Sequence, residues 1–106
     1  MAGPVMRIFA YGTLRDPATF RRVTGTAAPV QAALPAILPG FRRAPLAGTP
    51  YDTLVRDSAG EVEGLLIEVD RAMLVRLHRY EERLYRFRPV HVRVGTLRIQ
   101  ARAWIA

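Results

Sequence analysis

One glutamate in this chain stands where a carboxylate is costly. Asp70 reads as the cap of a helix running to about Glu82. At 3.6 residues per turn, Met73, Leu74, Leu77, Tyr80 and Glu81 fall in one stripe, with Leu84 in line if the helix continues. Arg76, Arg79, Glu82 and Arg83 fall on the other side. Glu81 therefore points with the apolar stripe and Glu82 points to water. A carboxylate on an apolar stripe is unfavourable unless it is paired or protonated. Partial burial disfavours its charged form and raises its pKa, which suits a general acid/base working near neutral pH. Periodicity leaves a second reading open, a buried ion pair with one of the chain's arginines.

A second stretch, Phe9-Ala10-Tyr11-Gly12-Thr13-Leu14-Arg15-Asp16-Pro17, offers donors where Glu81 offers an acceptor. A strand that breaks at Gly12 and feeds a capped helix leaves backbone N–H groups without partners. Arranged concavely, such groups hold a carboxylate or an oxyanion. An ordinary strand-to-helix turn is the alternative. The glycine spacing matches neither a P-loop nor a dinucleotide fingerprint. Serine hydrolysis is not supported either, because Ser58 is the only serine and no Gly-x-Ser-x-Gly surrounds it.

Composition narrows the remaining classes. The chain's 106 residues fit one small domain spanning 1–106, and half of them are apolar. The absence of cysteine removes disulfides, thiol nucleophiles and thiolate metal sites. His78 and His91 are too few for a structural zinc, and both read as surface or packing residues. The N-terminus does not read as a signal peptide, and no window approaches ~18 uninterrupted apolar residues. A cytoplasmic protein without membrane association is expected. The net charge is +7, and the positive charge behind it is all arginine, spread over nearly every segment, with no lysine in the chain. A nucleic-acid footprint would concentrate that charge on one face, so no nucleic-acid partner is expected.

The elements that must position these residues follow from pattern. Val5 to Tyr11 has apolar residues on both alternating faces and reads as a strand buried on two sides. Asp16 caps a helix with Pro17 at its first position and Gly25 at its C-cap; Phe20 and Val23 face inward. From Ala27 to Pro50 the recurring prolines exclude a helix and limit strands to short pieces, Ala32 to Leu38 and Phe41 to Ala44. Ala47 to Asp52 reads as a loop, Thr53 to Arg56 as a strand, and Asp57-Ser58-Ala59-Gly60 as a turn. Glu61 to Val69 is a strong strand in which Gly64 marks a bend or a close backbone approach. The last strands form a hairpin about Gly95-Thr96, pairing Val94 with Leu97, Val92 with Ile99 and Val90 with Ala101. A bulge near Arg88-Pro89 is expected, since the apolar phase reverses there. The result is an α+β fold, a small mixed β-barrel of five to six strands with two short helices.

Taken in order, these stretches resemble the gamma-glutamylcyclotransferase-like family across almost the whole chain. Tyr11-Gly12-Thr13-Leu14 is similar to its opening Tyr-Gly-Ser/Thr-Leu motif, and Gly40-Phe41 to its second landmark. Glu61-Val62-Glu63-Gly64-Leu65-Leu66 resembles its central strand, and Leu77-His78-Arg79-Tyr80-Glu81 with Tyr85-Arg86 its Leu-Asp-x-Tyr/Phe-Glu segment. The resemblance implies an enzyme that cyclises a small-molecule gamma-glutamyl substrate to 5-oxoproline and releases the amine. It assigns Glu81 as general acid/base and Tyr11, Gly12, Thr13 and Leu14 as substrate-binding residues. It implies no metal and no organic cofactor. Glu82, His78 and Asp52 depart from the family pattern, which has Gly, Asp and Pro there. The identity of the amine and the oligomeric state are not specified by the sequence. A non-catalytic module binding a small carboxylate in the same pocket is the alternative, and an arginine-rich nucleic-acid binder is a third.

Overall fold

A strand with apolar side chains on both faces needs a core on each side. In the computed structural model, which describes residues 5–81 and 83–106, β1 (Met6–Ala10) has both. Phe9, followed by Tyr11, faces a core with Leu38, Leu54, Val62, Leu66, Val92 and Ala103. Ile8 and Ala10 face a second core with Leu14, Phe20, Ile67, Leu77 and Trp104. The first fills a barrel and the second lies between barrel and helices.

The chain runs β1, a 3-10 turn (Thr13–Arg15), α1 (Pro17–Thr24), α2 (Ala28–Gln31), β2 (Leu34–Pro45), β3 (Asp52–Val69), α3 (Arg71–Glu81), β4 (Arg86–Val94) and β5 (Leu97–Ile105). The strands close in the order β1-β3-β2-β4-β5. Neighbours are antiparallel except β1 and β5, which pair in parallel at Ile8 and Arg102. This is the α+β barrel expected, with five strands. No helix among the described residues is long and apolar enough to cross a membrane.

Local chemistry fixes the helices as read. The Asp16 carboxylate accepts from Thr19 N at 3.1 Å, Pro17 opens α1, and Gly25 closes it at φ 94°. Asp70 Oδ1 accepts from Met73 N at 2.9 Å at the start of α3. Arg76 reaches across to donate to the Thr24 carbonyl at 3.0 Å, placing a cation at the end of α1. The orientation expected for Glu82 lies outside the described residues.

Three expectations for residues 28–60 are corrected. Residues 28–31 form one helical turn despite Pro29, which sits in its first turn where an N–H is not needed. The two fragments of the proline-rich stretch are one strand, β2, whose register shifts between Pro39 and Phe41 at Gly40, φ 85°. Pro45 ends the strand and Pro39 borders the shift, so both stand where a missing N–H is tolerated. The supposed turn at 57–60 lies inside β3, which carries four residues between Arg56 and Glu61 where β2 has only Gly40. Its turn chemistry survives as Ala59 N donating to Asp57 Oδ1 at 3.1 Å.

The hairpin has the expected register, with Val94 opposite Leu97 and Val90 opposite Ala101, and Gly95 at φ 59°. The bulge at Arg88-Pro89 is not there. Pairing runs unbroken from Arg86–Ile105 to Val94–Leu97. The phase reverses because Phe87 and Trp104 pack outward beneath α3, whereas Val90 and Val92 face the barrel interior.

Candidate active site

The opening of the barrel beside α3 forms a cleft of about 780 Å³. Phe9, Tyr11, Gly12, Thr13, Leu14 and Glu81 all line it, so the two stretches singled out in the sequence meet there.

Gly64 is one reason they meet. A Cβ at this position would collide with the carbonyl oxygen of Ala10 and stand 2.7 Å from Cζ of Phe9. Glycine lets the end of β1 lie close against β3, which sets where Tyr11 and the turn after it emerge. Tyr11 is then locked. Its hydroxyl donates to the carbonyl oxygen of Trp104 on the neighbouring β5 at 2.6 Å. Burial first, then the nearby Tyr85 and Glu81, raises its pKa far above the usual phenol range, although Thr53 and Arg43 oppose this. Tyr11 stays neutral and serves as a wall.

Beyond it the backbone turns sharply. Gly12 O accepts from Arg15 N at 3.1 Å, and Thr13 O accepts from Asp16 N at 3.0 Å. The N–H groups of Gly12, Thr13 and Leu14 take no acceptor among the described residues. This is the donor set expected of a turn that ends a strand and opens a 3-10 helix.

Glu81 is the last residue of α3, and its carbonyl accepts from Leu84 N and Tyr85 N at 3.2 and 3.1 Å. Its side chain is half-buried on the stripe anchored by the fully buried Leu77. The carboxyl is pushed up to about 7, and burial is the cause. Among the described residues the ion pairs are Arg7–Glu68, Arg42–Asp57 and Arg93–Glu61, all away from the cleft. The ion-pair reading of Glu81 therefore finds no support. Next to it, the Tyr80 hydroxyl lies 3.2 Å from Thr13 Oγ1 and ties the end of α3 to the turn.

Several lining residues were not singled out as site residues from the sequence: Arg15, Arg43, Tyr51, Tyr80 and Trp104. Tyr80 carried a signal, since it shares the stripe with Glu81. Tyr85 and Asp52 entered only through the family comparison; the Tyr85 hydroxyl donates to the Asp52 carbonyl at 2.8 Å and is pushed up to about 12, mainly by burial. Arg43 lies in the proline-rich stretch and Trp104 in a strand of alternating pattern, and neither had a local mark. His78 packs edge-on to Phe87 and Trp104, with ring centroids 4.7 and 5.4 Å away, as a packing residue. His91 is exposed on β4.

The model of one protein family, "Gamma-glutamyl cyclotransferase, AIG2-like", matches residues 8–106. The chain belongs to the gamma-glutamyl cyclotransferase, AIG2-like family. No curated protein sequence matches it. Among solved structures, this family member is similar to the solution structure of the Arabidopsis thaliana protein At3g28950.1, with TM-score 0.84 and 26% identity over 99% of this chain and 64% of that one. It is also similar to YkqA from Bacillus subtilis, with TM-score 0.84 and 24% identity over 98% of this chain and 41% of that one. A structure described as gamma-glutamyl cyclotransferase shares the fold at TM-score 0.78 and 17% identity, over 96% of this chain and 66% of that one. The chain thus spans about two thirds or less of the length of these three proteins.

Proposed function

We propose that the protein is a gamma-glutamylcyclotransferase-type enzyme: it cyclises a gamma-glutamyl amine or peptide to 5-oxoproline and releases the free amine. The observation that carries the reading is a carboxyl group pushed up to about 7 by burial, in one cleft with three backbone donors, none of these groups having a partner among the described residues. Family membership and the shared fold support it.

The reaction is intramolecular, so the cleft has two tasks, folding the substrate back on itself and moving a proton. Glu81 takes a proton from the substrate α-amine. The amine nitrogen bonds to the γ-carbonyl carbon, and the carbonyl oxygen gains charge. Glu81 then gives the proton to the departing nitrogen as the original amide C–N bond breaks, leaving the lactam and a neutral amine. Backbone N–H groups of Gly12, Thr13 and Leu14 hold the substrate carboxylate or the developing oxyanion, and Tyr11 bounds the pocket. A carboxyl titrating at about 7 is present in both forms near neutral pH, as a group that is first base and then acid requires.

Incubation with gamma-glutamyl amines and dipeptides should yield 5-oxoproline, and Glu81→Gln should abolish the yield with the fold intact. Because the free enzyme must start with Glu81 ionised, kcat/KM should rise with pH and level off above about 7. Saturable binding of the same panel without turnover would instead make the cleft a binding module.

A further inference from the structure

The barrel wall has a second opening, which shares no lining residue with the cleft beside α3. β2 and β4 are joined by one register pair, Ile37 with Arg93. Beyond it β2 continues to Pro45 and β4 reaches back to Arg86 with no further paired position. Two prolines account for this. In a two-residue hairpin the backbone groups of Val94 face Leu97, so by alternation those of Arg93, His91 and Pro89 face β2. Pro89 has no N–H to give across the gap, and neither has Pro39, which faces β4 as Ile37 does two residues earlier. At Gly40 the register of β2 then shifts. The strands part there around a cavity of about 470 Å³. Its floor is apolar, reached by the buried Leu38, Val90 and Val92 and the half-buried Phe41. An edge short of N–H donors is a poor template for an added strand, so the gap suits a small molecule better than a peptide.

The rim is cationic. Arg56, Arg93 and Arg98 all line the cavity. Arg93 and Arg98 stand directly opposite each other on the outer face of the hairpin. By the same alternation they form a non-hydrogen-bonded pair, in which Cα atoms approach to about 4.5 Å. Like charges placed so are destabilising. One carboxylate answers them: Glu61 Oε1 lies 3.3 Å from Arg93 Nη2. Arg56 and Arg98 take part in no ion pair among the described residues. The Arg56 guanidinium carbon stands 5.4 Å from the Phe41 ring centroid, so a cation is held beside the apolar floor. Three guanidiniums against one exposed carboxylate leave an excess that a single carboxylate ligand does not neutralise. A multivalent anion does, and the planar guanidinium fork matches phosphate oxygens. A bare inorganic anion would leave the floor uncovered.

We propose that the gap between β2 and β4 is a binding site for a small organic polyphosphate. Its phosphates lie on Arg56, Arg93 and Arg98, and its less polar body covers Phe41 and the floor between the strands. Binding draws Arg93 from Glu61 to the ligand. The site is independent of the cyclisation reading, because none of its residues lines the cleft that holds Glu81.

The test titrates the full chain with ATP, adenosine and tripolyphosphate, by calorimetry at fixed salt and by amide chemical shifts in NMR. ATP should bind more tightly than either of the others, and should move the amides of Phe41, Arg56, Arg93 and Arg98 and not those of Gly12, Thr13 and Leu14. Arg56→Gln and Arg98→Gln should each weaken ATP about 10- to 100-fold, the size of one charge-assisted contact. Arg79→Gln, the same charge change on the exposed side of α3, should leave the affinity unchanged. Glu61→Gln should tighten ATP about 2- to 5-fold by releasing Arg93, the scale of an exposed ion pair. Glu68→Gln, which frees Arg7 instead, should not. Equal weakening by Arg79→Gln and Arg98→Gln would reduce the effect to net charge and overturn the site. Shifts centred on Gly12 to Leu14, tripolyphosphate binding as tightly as ATP, or no saturable binding of ATP would each overturn it as well.

Discussion

Replacing Glu81 by Gln should make the protein more stable, by an amount that depends on pH. The carboxyl titrates at about 7 in the folded protein against 4.5 in the open chain, and burial alone causes the difference. Between those values the unfolded chain has released a proton that the native protein still holds. Folding therefore takes up a proton, and stability falls as pH rises from about 4.5 to about 7. At 1.36 kcal/mol per pH unit, the gap between 4.5 and about 7 is about 3 kcal/mol, fully expressed above pH 8. Glutamine has nearly the same shape and no charge to desolvate, so it escapes this cost. Glu81→Gln should match the wild type near pH 4.5 and exceed it by up to about 3 kcal/mol at pH 8.5. For a domain of 106 residues this is roughly 10–15 °C in Tm. Thermal melts of both proteins between pH 4.5 and 8.5, followed by circular dichroism, give the difference curve, from which other titrating groups cancel. A flat curve would refute the desolvation argument. A curve of opposite sign, with the glutamine variant weaker at high pH, would mean that ionised Glu81 is held by a cation. Together with lost turnover, the expected rise would show a site kept at the expense of stability.

Other substitutions test the frame around the cleft. Gly64→Ala forces a methyl against the Ala10 carbonyl and the Phe9 ring, and should cost about 1–3 kcal/mol in denaturant melts. Tyr11→Phe removes the 2.6 Å hydrogen bond and leaves the Trp104 carbonyl without that donor, a loss of about 1–3 kcal/mol. Asp16→Ala deletes the acceptor for Thr19 N at the start of α1 and should lower stability by about 1 kcal/mol, with turnover unchanged.

Legibility followed how local the determining interaction is. The hairpin and the caps of α1 and α3 rest on contacts between residues close in the chain, and alternation with Gly95, or Asp16 with Pro17, was enough to place them. The choice of Glu81 over Glu82 came from helical arithmetic, and Glu81 does line the cleft. Failures arose where a distant partner decides. Prolines argued against a long β2, yet the strand tolerates them at a register shift and at its end. The phase reversal at Pro89 looked like a bulge, because the pattern along one strand does not show that α3 covers its outer face beneath Phe87 and Trp104. Arg43 was one of many arginines until the barrel set it over Tyr11.

The parallel pairing of β1 with β5 has a consequence for biosynthesis. The hydroxyl of Tyr11 finds its acceptor 93 residues further along the chain, and the seam that closes the barrel joins the first strand to the last. Contacts of that sequence separation form only after the intervening loop has been closed. A nascent chain can cap α1 and α3 while still on the ribosome, but it cannot complete the wall behind Tyr11 until β5 has emerged. The cleft is therefore completed only once β5 is free to pair with β1. A chain stalled before Leu97 would leave an edge of β1 open to pairing with other chains.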